Sequence, residues 1–492
     1  MKNKEKIKSK QAKVIKIFEK IIGRSIPIVG GIYSYTVGVA VKDSNVIGLG
    51  LYDCELTTLP DSIGNLETLQ ILHLNDNKLT KIPKSIGNLK SLTDLQLGRN
   101  FLSALPDSFG QLESLIRLRL NFNKLETVPE SFIHLKSLYE LDLFGNQLKH
   151  LPENFGNLES LGKLDLSSNK LTFLPRSFSK LDRITKLEMG SNPLAQFPDA
   201  ILSFKNLKEL NLSNCQITTL PASIGNLKGL QILRLRNNKL KSLPESVGNL
   251  ESLKKLCLAE NQLATLPESF GNLTQLQSLY LQKNQLTTLP KSFGNLHSLQ
   301  KLILTENQFT SIPESIWPLK NLKELKLEKN PLDAESREIM TRDLLSILEF
   351  CRKRGTLHVF ISHAVADKDK YQIEKIAEYL RNQKEIYDAI YCEKHLVGNI
   401  QEFMDEMIPK CQVLLFIATD TSTHHSPDCR YEIKLAQKNH LVIIPIKGKD
   451  ITWDDLKEIG LSESLGIVFS DDFKEFCATL FSYIKNIKPN LK

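Results

Sequence analysis

One proline keeps time along this chain: Pro60, Pro83, Pro106, Pro129, Pro152, Pro175, Pro198, Pro221, Pro244, Pro267, Pro290 and Pro313 stand 23 residues apart. A second position runs at the same period from Cys54 to Asn330, filled by asparagine except at Cys54 and Cys215. Between the two, leucines fall as L-x-x-L-x-L-x-x-N/C-x-L, as at Leu69, Leu72, Leu74, Asn77 and Leu79. A fixed period of this size marks stacked supersecondary units, so a division of the chain into independent domains of about 150 residues does not apply here.

Elementary geometry assigns the slots. In L-x-L both leucines of a short strand point to one face while the residue between them faces the other way. A unit of 23 residues cannot enclose its own leucines, so burial requires neighbours on both sides. The asparagine after the strand turns inward to satisfy backbone groups of adjacent turns, and its loss should cost about 1–3 kcal/mol in unpaired polar groups. Proline fits the entry to a short helix or extended segment because the amide it lacks is not needed there.

The unit resembles the 23-residue intracellular form of the leucine-rich repeat over roughly residues 45 to 335. The resemblance implies a horseshoe-shaped solenoid with parallel strands on its concave face, where such arrays bind ligands. The row four residues before each asparagine contains Arg119, Asp142, Asp165, Glu188, Arg234 and Tyr280. Arg117 and Arg236 flank that row, giving an acidic centre between two basic pairs. Such separation suits a protein ligand of complementary charge rather than a phosphate backbone.

Charge supports the same exclusion. Residues 1–24 hold nine Lys/Arg against Glu5 and Glu19, or +7, so the remainder of the chain supplies only +1 of the net +8. A nearly neutral body gives no reason to expect nucleic-acid binding. The basic start places Ile7, Val14, Ile17, Phe18, Ile21 and Ile22 on one helical face, fit either for weak contact with an anionic membrane or for packing on the solenoid end. The uncharged run from Ser25 to Val41 is only 17 residues long and carries Pro27, Gly30, Gly31 and Gly38, a poor membrane span or secretion signal. Eight scattered cysteines without a C-x-x-C pair fit reduced thiols and a cytoplasmic location.

The expected organisation is a basic segment, helical or disordered, over 1–28 and a solenoid with an N-terminal β-hairpin over 29–332. A capping helix over 333–354 follows, with Ile339, Leu344, Leu345, Ile347, Leu348 and Phe350 inward, and then a second domain over 355–492. In that domain apolar runs such as Leu357 to Ile361 and Gln412 to Ala418 alternate with helical segments such as Lys368 to Asn382 and Pro427 to Asn439. This α/β alternation implies a parallel sheet covered on both faces, with ligands off the carboxyl ends of its strands.

Four boxes there resemble the Toll/interleukin receptor (TIR) domain: Val359 to His363 with Asp367, His395 to Asn399, Thr421 to Glu432, and Ile444 to Ile446. The resemblance implies a flavodoxin-like sheet, homotypic assembly through the second box, and in some members hydrolysis of NAD+ by the glutamate of the third helix, here Glu432. NAD+ would then be substrate, with no resident cofactor. Phe360, Ser362, His363, Gly398, Ser426, Asp428 and Cys429 fall where the resemblance places substrate contacts. Asp428 departs from the pattern, since the family usually carries Trp in that slot. His424 and His425 sit in a polar loop and suggest solvated side chains rather than metal ligands. The expected function is an intracellular sensor: repeats that bind a macromolecular cue, and a TIR domain that signals by self-association and NAD+ cleavage. The alternative is a non-catalytic scaffold.

Overall fold

The computed structural model describes residues 7–392, 400–461 and 466–487. They form two compact units that divide between Glu338 and Ile339.

In the first unit, helix α1 (Ser9–Ile22) precedes an antiparallel hairpin of β1 (Val37–Lys42) and β2 (Asn45–Leu51). Parallel three-residue strands follow from β3 (Ile71–His73) to β14 (Glu324–Lys326), joined in sequence order into one 14-stranded sheet. The clock prolines other than Pro152 are extended (Pro83, φ −69°, ψ 151°) and open a single 3-10 turn such as Lys84–Asn88; after Pro152 the 3-10 turn begins only at Phe155. The leucines of the strands before β14 and the Phe, Ile or Val of those turns are buried between the layers, while Leu325 of the last strand is partly exposed. Phenylalanines stack from repeat to repeat, with Phe109 and Phe132 at 6.0 Å and Phe155 and Phe178 at 6.2 Å.

The asparagines bridge turns as their spacing predicts. Asn169 Oδ1 accepts from Leu148 N (2.9 Å), and its Nδ2 donates to Leu143 O (3.0 Å) in the preceding repeat and to Leu166 O (2.9 Å) in its own. Cys215 replaces this with weak thiol donation to Met189 O and Ser213 O, both at 3.4 Å. The preceding repeat consequently lacks a side-chain acceptor, and Leu194 N turns to Asn192 O (2.9 Å). The glycine that follows the buried Phe or Ile of most turns has a separate cause: a Cβ on Gly156 would strike the Ser177 carbonyl of the next repeat.

Helix α1 closes the front of the stack. Val14, Ile15 and Phe18 are buried, Gln11 Oε1 accepts from Val46 N (2.8 Å), and Gln11 Nε2 donates to Thr68 Oγ1 (2.9 Å). This corrects the expected apolar face, because Ile15 turns inward while Ile17 and Ile21 stay 39% and 46% exposed. The segment expected as one capping helix is two, α2 (Ala334–Ile339) and α3 (Leu344–Gly355). Ser336 of α2 is buried, and its Oγ accepts from Ile312 N (3.2 Å) of the last turn. Asp343 interrupts the helix by accepting from Ser346 N (3.0 Å) as the cap of α3, and Leu345, expected inward, is 79% exposed.

In the second unit, β15 (Leu357–Ser362), β16 (Ile386–Tyr391), β17 (Val413–Ala418), β18 (Val442–Lys447) and β19 (Ile467–Val468) form a parallel sheet in the order β16-β15-β17-β18-β19. Residues of α4 (Ile373–Arg381) and α8 (Phe473–Ile487) share the core on one face. Residues of α5 (Ile400–Met407), α6 (Pro427–Lys438) and α7 (Trp453–Glu458) share the core on the other. Helix α4 begins five residues later than expected, after a 3-10 turn at Val365–Asp367. Helix α7 was not anticipated, although Thr452 and Asp455 supply its capping box.

Asn169→Ala should lower unfolding free energy by about 1–3 kcal/mol, because backbone groups of two repeats lose their partner together. Denaturant titration against the wild type measures this, and a loss below the range would deny the asparagines their bridging role.

Candidate functional site

In an open parallel sheet the ligand crevice lies off the carboxyl ends of the strands where strand order reverses. Here that point falls between β15 and β17, which both leave their carboxyl ends into polar segments. The β15 segment supplies Ser362 and His363; the β17 segment runs from Thr419 through a π-helical turn at Thr421–His425 into α6. A buried network ties the two together. Thr419 Oγ1 donates to Asp367 Oδ2 (2.5 Å), Thr419 N donates to Ser422 Oγ (2.8 Å), and Ser422 Oγ donates to Ile417 O (2.8 Å).

Glu432 projects from the second turn of α6 and is only 3% exposed. Among the described residues it has no ion-pair partner, and its Oε2 is buried without a hydrogen-bond partner. Ser362 Oγ, His363 Nε2 and Thr423 Oγ1, all on the two segments, are buried and unpartnered as well. Burial pushes the Glu432 carboxyl up to about 8, the Asp428 carboxylate pushes in the same direction, and the nearby Ser362 hydroxyl opposes both. Cys429 and Cys392 also sense Glu432, and burial drives their thiols up to about 12 and about 11, which favours the protonated form over the nucleophilic thiolate. The His363 ring lies edge-on to Tyr391 at 6.0 Å, and burial lowers its pKa toward the neutral imidazole.

The remaining predicted residues separate by place. Ser426 caps α6, accepting from Cys429 N (3.3 Å), while Asp428 is exposed on the first turn. Phe360 is fully buried in the core beneath α5 and α6, where it packs and lines no opening. Gly398, with the rest of the His395–Asn399 box, lies outside the described residues. The strand-end rule could have added Cys392, immediately after β16, which the sequence reading left out.

On the first unit, the predicted charges of the strands are mostly paired with one another. Arg117 meets Asp94 (2.6 Å) and Glu140 (3.5 Å), Arg119 meets Glu140 (3.0 Å), Arg234 meets Glu188 (3.6 Å) and Arg236 meets Glu260 (3.0 Å). Asp142 and Asp165, aligned on neighbouring strands, have no ion pair among the described residues and floor a hollow of about 330 Å³ with Lys163, Lys186 and Glu188. Burial raises both carboxyls, Asp142 to about 6. Tyr280 belongs to a second hollow of about 400 Å³ and stands between Lys255 (5.4 Å) and Lys301 (5.8 Å) over its ring.

The family model of the leucine-rich repeat region matches residues 48–144, 199–283 and 224–386, a leucine-rich repeat model matches 151–194, and the TIR domain model matches 359–480. The chain belongs to the leucine-rich repeat family and carries a TIR domain. A leucine-rich repeat protein of Leptospira interrogans is 38% identical over 61% of this chain and 82% of its own length, with a TM-score of 0.54. The plant peptide hormone receptor RGFR1, solved with RGF2, is 25% identical over 82% of this chain and 60% of its own (TM-score 0.52). Toll, solved with Spatzle from Drosophila, is 20% identical over 80% of this chain and 49% of its own (TM-score 0.52), a likeness of fold. No curated protein matches the chain. Leucine-rich repeats together with a TIR domain make this a protein-interaction and signalling architecture.

The raised Glu432 carboxyl has a consequence for stability. The folded TIR domain holds this proton up to about pH 8, whereas the unfolded chain releases it near 4.5, so folding loses stability as pH climbs through that window. Glu432→Gln, which keeps the shape without the charge, should therefore leave stability nearly unchanged at pH 4.5 and raise it on the order of a few kcal/mol at pH 8 and above. Unfolding midpoints of both proteins across this range decide the matter; a gain that does not grow with pH would show that Glu432 ionises freely.

Proposed function

We propose that this protein is an intracellular sensor of the innate-immune or defence kind, whose repeats bind a protein cue and whose TIR domain answers by self-association and cleavage of NAD+. The observation that supports the enzymatic part is the placement of Glu432, a buried carboxyl with an unpartnered oxygen at the switch point of the parallel sheet. Sequestered carboxyls of raised pKa are uncommon in purely structural roles, since burial without a partner costs free energy.

The chemistry needs one carboxylate. In NAD+ the bond from ribose C1′ to the pyridinium nitrogen breaks with its electron pair on nitrogen, so nicotinamide departs neutral and no general acid is required. The ribosyl carbon gains oxocarbenium-like positive charge, which an ionised Glu432 stabilises in a site of low dielectric. Water then adds at C1′ and releases a proton, giving ADP-ribose.

Glu432 in the separate chain is closed from solvent and neutral at pH 7, so turnover requires a change that opens and ionises it. Assembly supplies a reason for that change. Chains gathered by a ligand bring their TIR domains to effective concentrations near ~1 mM, enough to populate weak contacts between them. On the repeats, the unpaired Asp142 and Asp165 favour a cue with a basic side chain at the hollow, a preference that rests on charge complementarity. RGFR1, whose solved partner is RGF2, offers a parallel for recognition by such repeats.

One observation favours the rival reading of a non-catalytic scaffold: Asp428 replaces the usual aromatic residue with a carboxylate that opposes ionisation of Glu432. Free nicotinamide measured with the protein densely tethered on beads separates the two. The wild type should release nicotinamide from NAD+ when tethered and far less when dilute, and Glu432→Ala should release none. Absence of product from the tethered wild type would leave the scaffold reading.

A further inference from the structure

Helix α1 spends one face closing the solenoid, and among the described residues Lys10 alone of the opposite side's cations has an ion-pair partner. Ile7, Gln11, Val14, Ile15 and Phe18 are the buried set. At 3.6 residues per turn, Lys16, Lys20, Lys13, Ile17 and Ile21 occupy an opposing arc of about 140°. Ile17 and Ile21 are 39% and 46% exposed and lie one turn apart, and Lys13, Lys16 and Lys20 beside them are exposed too. The three lysines make no ion pair among the described residues, in contrast to Lys10, which holds Glu67 at 3.0 Å. The acid of the helix is turned to another task, as Glu19 Oε1 accepts from Ile26 N (2.8 Å). Arg24, just beyond the helix, is also exposed but donates through Nη2 to Cys54 Sγ (3.4 Å).

We infer that this outer face of α1 is a docking surface for an anionic lipid bilayer, on which the protein lies with the helix along the membrane plane. Cationic stems flanking aliphatic side chains suit the headgroup boundary: the isoleucines enter the acyl edge while the ammonium groups reach lipid phosphates. The strip offers three cations and two aliphatic side chains on the outer side of one helix, which favours a surface that asks only for charge and apolar area over an acidic protein. No described helix is long and apolar enough to cross a membrane, so the contact is peripheral. Each cation near such a surface adds roughly fivefold in affinity at low salt, and the attraction fades as salt rises. Binding is therefore weak for one chain and firm for many chains held together, which links the surface to assembly.

Co-sedimentation of the full chain with vesicles of phosphatidylcholine alone, or mixed with phosphatidylserine, tests this. The expected result is sedimentation with the mixed vesicles only, reversed by high salt. Replacing Lys13, Lys16 and Lys20 together by Glu should weaken it about a hundredfold or more. Ile17→Ser with Ile21→Ser should weaken it several-fold at every salt concentration. All five positions are exposed, so each variant should keep the wild-type melting temperature, which checks that the cap is intact. Unchanged binding by the folded charge-reversal variant would overturn the proposal, as would failure of the wild type to sediment with mixed vesicles while it is retained on an acidic polypeptide resin.

Discussion

A single amide side chain, repeated, holds the larger unit together. From Asn77 to Asn307 the ladder asparagines are nearly excluded from water, yet oxygen and nitrogen are matched to backbone groups of two successive turns, as at Asn169. The leucines alone would drive collapse without fixing the spacing of the layers, since hydrophobic attraction has no direction. The amide converts collapse into register. Its demands also overrule local preference: the residue before the asparagine takes a left-handed backbone at Asp76 (φ 55°), Arg99 (φ 54°) and Phe122 (φ 54°), although only Gly145 in that slot is a glycine. Strain at one residue per turn is tolerated because hydrogen bonds on either side over-determine the turn.

The two units organise polarity in opposite ways. On the repeats, polar side chains of the strands face out, and many charges find a partner one or two strands away, while Asp142 and Asp165 have no ion pair among the described residues. In the TIR domain the polar groups are turned inward at the end of the sheet. There Thr419, Asp367 and Ser422 satisfy one another, while Ser362, His363, Thr423 and Glu432 retain unpartnered atoms. Unpaired charge at the first place and unpaired buried polarity at the second are each costly for a folded chain. Both are the kind of deficit a bound partner relieves, which is why the proposed recognition and the proposed chemistry are placed there.

Much of this was legible because repetition amplifies weak signals. A leucine in one strand says little, but thirteen in-phase positions specify strand, turn and inward asparagine together. The TIR elements were legible from alternation of apolar strands with helices, and errors fell where local signals compete. Between residues 333 and 354 the apolar spacing suggested one helix, yet Asp343 stops and restarts it through its bond to Ser346. In α1 the helical period was right, but the choice between Ile15 and Ile17 for the core depends on where the first turn of the stack sits.

The sequence by itself determined the repeat, its parallel strands, the inward asparagine ladder and the presence of a second α/β domain, because each is a matter of period and of which residues can be buried. It also placed Glu432, Ser362 and His363 on segments leaving the sheet. Only the tertiary structure decided that Glu432 is sealed with its Oε2 unpartnered among the described residues, that Arg117 and Arg119 are already engaged by Asp94 and Glu140, and that Lys13, Lys16 and Lys20 of α1 are exposed without an ion pair among those residues. Those outcomes depend on distances between residues far apart in the chain, and on how much water the assembled neighbours exclude, which no local pattern encodes.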